Sequence, residues 1–278
     1  MLARTIIYPI HMDQDPAELN PVIEMCRAGD AHLTVLVIGL SPPPPIAVDT
    51  VILSDTWANQ AESRKSELRE RAAQIEHRLM QSAISAEVKR ALMVDSSVEM
   101  TVAEHAFFAD LVMLPRTLPG THGLNEHVAA GAMFGGGKPV VVGQPDQFGA
   151  LDWKTVLVAW DNERAAARAV SEAIPLLKRA EQVRIACVDP DAIRTASGEA
   201  PGWDMATYLA RHGIEVVVDT LSSGSRPTSQ TIGNFAAEIG ADAIVMGAYG
   251  HSRLRQRFLG GTTSAIMKAC DLPVLMAH

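Results

Sequence analysis

Short apolar runs alternate along this chain with longer stretches whose apolar positions recur every three to four residues, the patterns of buried strands and amphipathic helices. Ile6 to Ile10 is a strand-like run. From Pro16 to Ala28 the positions Leu19, Val22, Ile23 and Cys26 form one helical stripe, and Ala31 to Ile38 reads as a second strand. Ser41 to Pro45 is a proline run whose prolines lack backbone donors, and it reads as a stiff connector. Trp57 to Gln81 predicts a long charged helix with Leu68, Ala72, Ile75 and Leu79 inward. Ala86 to Leu92 follows as a strand, Val98 to Phe108 as a helix, and Leu111 to Leu114 as a buried strand. A loop from Pro115 to Gly123 leads to a helix from Asn125 to Phe134, stopped by Gly135-Gly136-Gly137, and then to a fifth strand, Lys138 to Val142.

The order then begins again. Thr155 to Trp160 repeats Thr5 to Ile10, and a helix from Glu163 to Ala180 turns Ala166, Ala169, Val170, Ala173, Ile174 and Leu177 inward, with Pro175 expected to kink it. Val183 to Val188 is a strand, Asp189 to Pro201 a polar loop, Trp203 to His212 a helix, Ile214 to Val218 a strand and Thr231 to Ile239 a helix. Ala241-Asp242 and the apolar run after it echo Ala109-Asp110, and Leu272 to Met276 echoes Lys138 to Val142. Each half thus alternates strand and helix, which predicts an α/β architecture with a parallel, doubly wound sheet in each half. Such sheets take ligands beyond the carboxyl ends of their strands, where the strand order reverses.

The chemistry concentrates after the strand ending at Met246. Gly247, Gly250 and Gly260 punctuate a loop, and Gly261 and Thr262 lead into a helix from Thr263 to Cys270 that reads as hydroxyl-capped. Glycines let backbone N–H groups approach an anion closely, and a helix N-terminus supplies unpaired donors. The spacing Gly247-x2-Gly250-x9-Gly260 resembles the nucleotide loop of the universal stress protein family, whose Ser or Thr after the last glycine is replaced here by Gly261. The resemblance covers the whole chain, strongly in the second half and weakly in the first. It implies two tandem five-stranded sheets of strand order 3-2-1-4-5, of the adenine nucleotide alpha hydrolase-like type. They divide as a degenerate domain over 1–145 and a domain with the glycine loop over 152–278, packed as an intrachain pseudo-dimer with the fifth strands near the interface.

It also implies a ligand, ATP, with Mg2+ as a candidate companion. Ala159, Asp161 and Val188 would meet the adenine and ribose. Met246, Gly247 and Gly250 would pass along the ribose and phosphates, and Gly260, Gly261 and Thr262 would offer backbone donors. A helix-capping role for Asp161 is the competing reading. Arg253, Arg255 and Arg257 either pair with phosphates or solvate the loop. In the first half His11 stands where Asp161 stands, Pro115 where Gly247 stands and Leu118 where Gly250 stands, so binding is expected only in the second half. Asp13 near His11 is a weak substitute acid.

Composition narrows the classes. A net charge of −8 gives nucleic acid no electrostatic purchase, and no apolar run is long enough to span a membrane. The N-terminus has no signal-peptide layout, so the expected location is the cytoplasm, with Cys26, Cys187 and Cys270 as small buried hydrophobes. The scattered histidines have no metal-site spacing, and neither a G-x-S-x-G elbow nor a P-loop occurs, so hydrolysis of ATP is expected to be slow at most. The functional expectation is a cytoplasmic stress-response module binding an adenine nucleotide in its second half. The alternative is an interaction or scaffold protein of the same fold that binds none. Homodimerisation of the whole chain is left open.

Overall fold

The repeat is realised strand by strand in the computed structural model, which describes residues 3–43, 55–120, 123–149, 151–190, 200–249 and 261–278. The first half contributes β1 (Thr5–His11), α1 (Asn20–Gly29, entered through a tight turn at Pro16–Leu19), β2 (His32–Leu40), α2 (Asp55–Gln81), β3 (Ala86–Met93), α3 (Val98–Ala106), β4 (Leu111–Pro115), α4 (Leu124–Ala130) and β5 (Val140–Gly143). The second contributes β6 (Thr155–Ala159), α5 (Arg164–Leu177), β7 (Gln182–Val188), α6 (Trp203–Arg211), β8 (Val216–Leu221), α7 (Thr228–Glu238), β9 (Ala243–Gly247), α8 (Thr262–Ala269) and β10 (Val274–Ala277). Pro44 and Pro45 of the proline run, and residues 191–199 of the loop expected from Asp189 to Pro201, lie outside the described residues.

The sheet order is β3-β2-β1-β4-β5-β10-β9-β6-β7-β8. Each half therefore carries the expected order 3-2-1-4-5. The difference is that the two five-stranded sheets are fused into one. β5 and β10 pair antiparallel, Val142 opposite Val274 and Val140 opposite Met276, while the other pairings are parallel. Each of these strands would otherwise end its sheet with a row of open N–H and C=O groups; pairing them removes both edges at once.

Register repeats between the halves. Thr5 lies opposite His32 as Thr155 lies opposite Gln182, and Ile6 opposite Leu111 as Val156 opposite Ala243. The Ala-Asp echo gains a physical reason here. Asp110 accepts the N–H groups of Arg4 at 2.7 Å and Thr5 at 3.0 Å, and Asp242 accepts those of Lys154 and Thr155, both at 2.8 Å. Each carboxylate thus ties the start of the fourth strand of its half to the start of the first.

Helices cover both faces, which is why the central strands are apolar without alternation. On one face Ile6, Tyr8 and Ile10 of β1 pack with Leu68, Ala72, Ile75 and Leu79 of α2 and with the inner stripe of α5. On the other, Ile7, Val112 and Val142 pack with α3 and α4, and Ile244 and Met276 with α7 and α8. The connection from β5 to β6 is anchored as well, with Phe148, Leu151 and Trp153 buried in the first of these cores.

Several boundaries differ from the sequence expectation for local reasons. The strand expected at Ile214 starts at Val216, because Gly213 takes the left-handed conformation and the Ile214 N–H closes the end of α6 on the Leu209 carbonyl at 3.1 Å. α7 begins at Thr228, directly after Pro227. α5 runs to Leu177 with Pro175 inside it on the exposed side. α4 ends at Ala130 and widens into a π-turn over Gly131–Gly135, so the glycine cluster extends the helix before stopping it.

Candidate functional site

Strand order reverses at the β6–β9 boundary: the chain passes from β6 outward to β7 and β8, and returns on the other side of β6 as β9. The carboxyl ends of β6 and β9 therefore open the crevice such sheets use. Ala159 ends β6 and is buried, and Asp161, two residues on, is exposed. Its Oδ1 accepts the Glu163 N–H at 3.0 Å across Asn162, which has φ of 61°. α5 starts at Arg164 with Glu163 at its cap position, so Asp161 shapes the turn before the helix and is not its N-cap. Val188 closes β7, half-buried. The next residue, Asp189, takes φ of 49° and accepts both the N–H of Ser223 at 3.0 Å and its hydroxyl at 2.5 Å, which lowers the Asp189 pKa.

Met246 is buried at the end of β9. Gly247 is required by packing: a Cβ there would stand 2.7 Å from the Ala165 carbonyl carbon and 2.9 Å from the Ala166 Cα, because the first turn of α5 lies directly on it. Tyr249 follows with φ of 58°, and its N–H is accepted by the Thr263 hydroxyl at 3.1 Å. Gly250 and Gly260, with His251, Arg253, Arg255 and Arg257 between them, lie outside the described residues. Gly261 resumes the chain at φ of 106° and is the N-cap of α8, with open space where a Cβ would be. This corrects the hydroxyl cap read from the sequence. Thr262 is the first helical residue, half-buried, and Thr263 turns its hydroxyl to Tyr249. The cap residue has no side chain to cover the donors of the first turn of α8.

The equivalent place in the first half is built differently. His11 is buried, its Nδ1 accepts the Asp13 N–H at 3.3 Å, and its buried Nε2 has no hydrogen-bond partner among the described residues. Burial holds the imidazole pKa below its ordinary value; Asp13 opposes that shift and Arg64 adds to it. Leu118 is buried, and its N–H is accepted by Asn125 Oδ1 at 2.6 Å, while the Asn125 amide donates to the Pro115 and Arg116 carbonyls. Around Gly120, Leu40 and Leu124 close in to 3.2–3.3 Å of where a Cβ would stand, and His11 Nε2 to 3.4 Å.

Sequence reasoning passed over Tyr249 and Arg116, and gave Thr263 a place in the helix cap and not this contact with Tyr249. The Arg116 guanidinium donates to the Met267 and Leu272 carbonyls at 3.2 and 3.0 Å, and so covers the carboxyl end of α8 from the other half. Only the placing of Tyr249 between two glycines hinted at any of these roles. Among the described residues no group of three or more His, Cys, Asp or Glu side chains is arranged to hold a metal, and no helix is long and apolar enough to cross a membrane.

Comparison with known proteins adds a family match over the second half and a likeness of fold over the whole chain. The Universal stress protein family matches residues 152–278. The fold is similar to that of a universal stress protein from Archaeoglobus fulgidus, with TM-score 0.68 and 19% identity over 99% of this chain and 98% of that one. A protein of Pseudomonas aeruginosa, provisionally described as a universal stress protein, gives TM-score 0.58 and 17% identity over 98% of this chain and 92% of that one. At these identities the likeness to the two structures is one of fold. No curated protein matches the chain.

Proposed function

We propose that the second half, whose residues 152–278 match the Universal stress protein family, binds one adenine nucleotide, ATP, at the carboxyl ends of β6 and β9, and that the protein acts as a stress-response module. The observation that carries the reading is the pairing, at one sheet reversal, of the exposed Asp161 carboxylate with the glycine-capped N-terminus of α8. Asp161 is an acceptor for ribose or amino groups, and backbone donors at Gly261 and Thr262 suit phosphates. Ala159, Val188 and Met246 supply apolar walls. Gly250 and Gly260 belong to the same proposal. Mg2+ would arrive with the phosphates, since such ions commonly keep waters and substrate oxygens as ligands. Hydrolysis would be slow at most. The reading sets the protein in the cytoplasm, where ATP is available.

One observation favours the alternative of a scaffold without nucleotide. The packing of α5 alone accounts for Gly247, so this glycine is no independent sign of a phosphate loop. Calorimetry separates the two readings. Nucleotide binding predicts one ATP per chain and weakened binding in Asp161→Asn, which keeps the size of the side chain. Two equal sites per chain, or no heat with ATP and no adenine compound released on denaturing the purified protein, contradicts it.

A further inference from the structure

The π-turn after α4 has a cause and a direction. Its closing bond runs from the Gly136 N–H to the Gly131 carbonyl at 2.9 Å. A Cβ on Gly131 would stand 2.5 Å from the Glu99 carbonyl oxygen, one on Gly135 2.5 Å from the Ala103 Cβ, and one on Gly136 2.6 Å from the Ala106 Cβ. These glycines let the widened turn sink onto α3, and such single π-turns recur at functional places. Within the turn Met133 is buried, and Phe134, 40% exposed, reaches across to the second half.

There its ring meets two others. The Phe134 centroid lies 4.4 Å from the His278 ring, edge-on, and 5.3 Å from the Tyr249 ring, tilted. His278 Nδ1 stands 2.9 Å from the Ala248 carbonyl, so Nδ1 carries the proton and donates. Tyr249 holds a left-handed backbone conformation that a residue with a bulky side chain adopts only when its surroundings impose it. The Thr263 hydroxyl fixes its amide, and Phe134 backs its ring. Lys268 on α8 pairs with the largely buried Glu126 on α4 at 2.8 Å. Tyr249 and α8 are therefore both held by side chains of the first half.

We propose that Phe134 is a positioning residue for the phosphate end of the second-half site: by backing Tyr249, whose N–H the Thr263 hydroxyl accepts, it holds the end of β9 against the first turn of α8. The proposal rests on the nucleotide reading for its ligand, and it gives the first half a part in the second-half site. It separates the two ends of the ligand. Adenosine would engage the Asp161 end, whereas ATP would also need the backbone donors at the start of α8.

The test measures ATP and adenosine binding by calorimetry in the full chain, its Phe134→Ala variant and its Phe134→Tyr variant, with hydrogen exchange at the Tyr249 amide recorded without nucleotide. Losing the ring contacts is expected to weaken ATP about five- to tenfold while leaving adenosine unchanged. Phe134→Tyr should restore ATP binding, and exchange at Tyr249 should quicken in Phe134→Ala alone. Parallel weakening of ATP and adenosine, or unchanged ATP affinity, overturns the proposal. If the unmodified protein binds neither ligand, the nucleotide reading fails by itself. Exchange at Tyr249 then still decides: quicker exchange in Phe134→Ala supports the positioning, and unchanged exchange overturns it.

Discussion

His11 and Asp161 occupy the same place in the two halves, and the environment has made them opposites: one is buried, the other open to solvent. For Asp161 the expected outcome is a binding loss. Asp161→Ala removes a charge-assisted contact that no backbone group replaces, worth roughly 2 kcal/mol. Thr262→Ala removes one neutral hydroxyl worth about 1 kcal/mol and keeps its N–H. Calorimetry on both variants should therefore rank Asp161→Ala as the more damaging. If it binds ATP normally and only melts lower, Asp161 serves the turn before α5 alone. For His11 the expected outcome is a pH effect. Its folded pKa lies below the unfolded one, so the unfolded chain takes up more protons as the pH falls through the ordinary histidine value of about 6.5. This group's contribution is neutral above that value and destabilising below it. Urea midpoints taken on both sides of it should fall more steeply for the parent protein than for His11→Gln; equal slopes would acquit the imidazole.

The elements show which signals are local and which are not. Gly247→Ala drives a methyl into the backbone of the first turn of α5, and overpacking of this kind costs about 1–3 kcal/mol. Its thermal midpoint should drop with no nucleotide present, and an unchanged midpoint would mean that α5 can retreat. The reason for this glycine was not legible in the sequence, because it lies in another element. The same holds for α8: Thr262 and Thr263 read as a hydroxyl cap, yet the Thr263 hydroxyl is taken by Tyr249 and the cap falls to Gly261. It holds again at Gly135 and Gly136, which read as a stop and are spacers against α3. What periodicity did reveal was the burial of whole faces, such as Leu68, Ala72, Ile75 and Leu79 on α2, and the repeated strand order, since those follow from residue spacing alone. The candidate site was legible as a place, through Asp161 and Gly247, but its supports, Tyr249, Thr263 and Phe134, were not, because each acts through a partner far away in sequence.

Across the whole molecule the seam between β5 and β10 decides how separable the halves are. Val140 to Val142 and Val274 to Met276 are fully buried where they pair. Residues 152–278 produced alone would present β10 as a bare apolar edge, and such edges seek another strand. The expected outcome is self-association by pairing of β10 with a second copy, read by light scattering; a stable monomer at micromolar concentration would count against it. In the intact chain, proteolysis within the β5–β6 connection should not release two independently soluble halves, because Phe148, Leu151 and Trp153 anchor it in the core. The antiparallel seam also has a consequence for inheritance. In an assembly of two identical chains every substitution appears twice, so neither copy can lose a site while the other keeps it. Here the two copies are written separately along one chain, and His11 was free to change without altering Asp161. What neither copy can abandon alone is the strand pairing: a change at Val141 must be tolerated by Leu275, so divergence runs freely in the crevices and is checked at the seam.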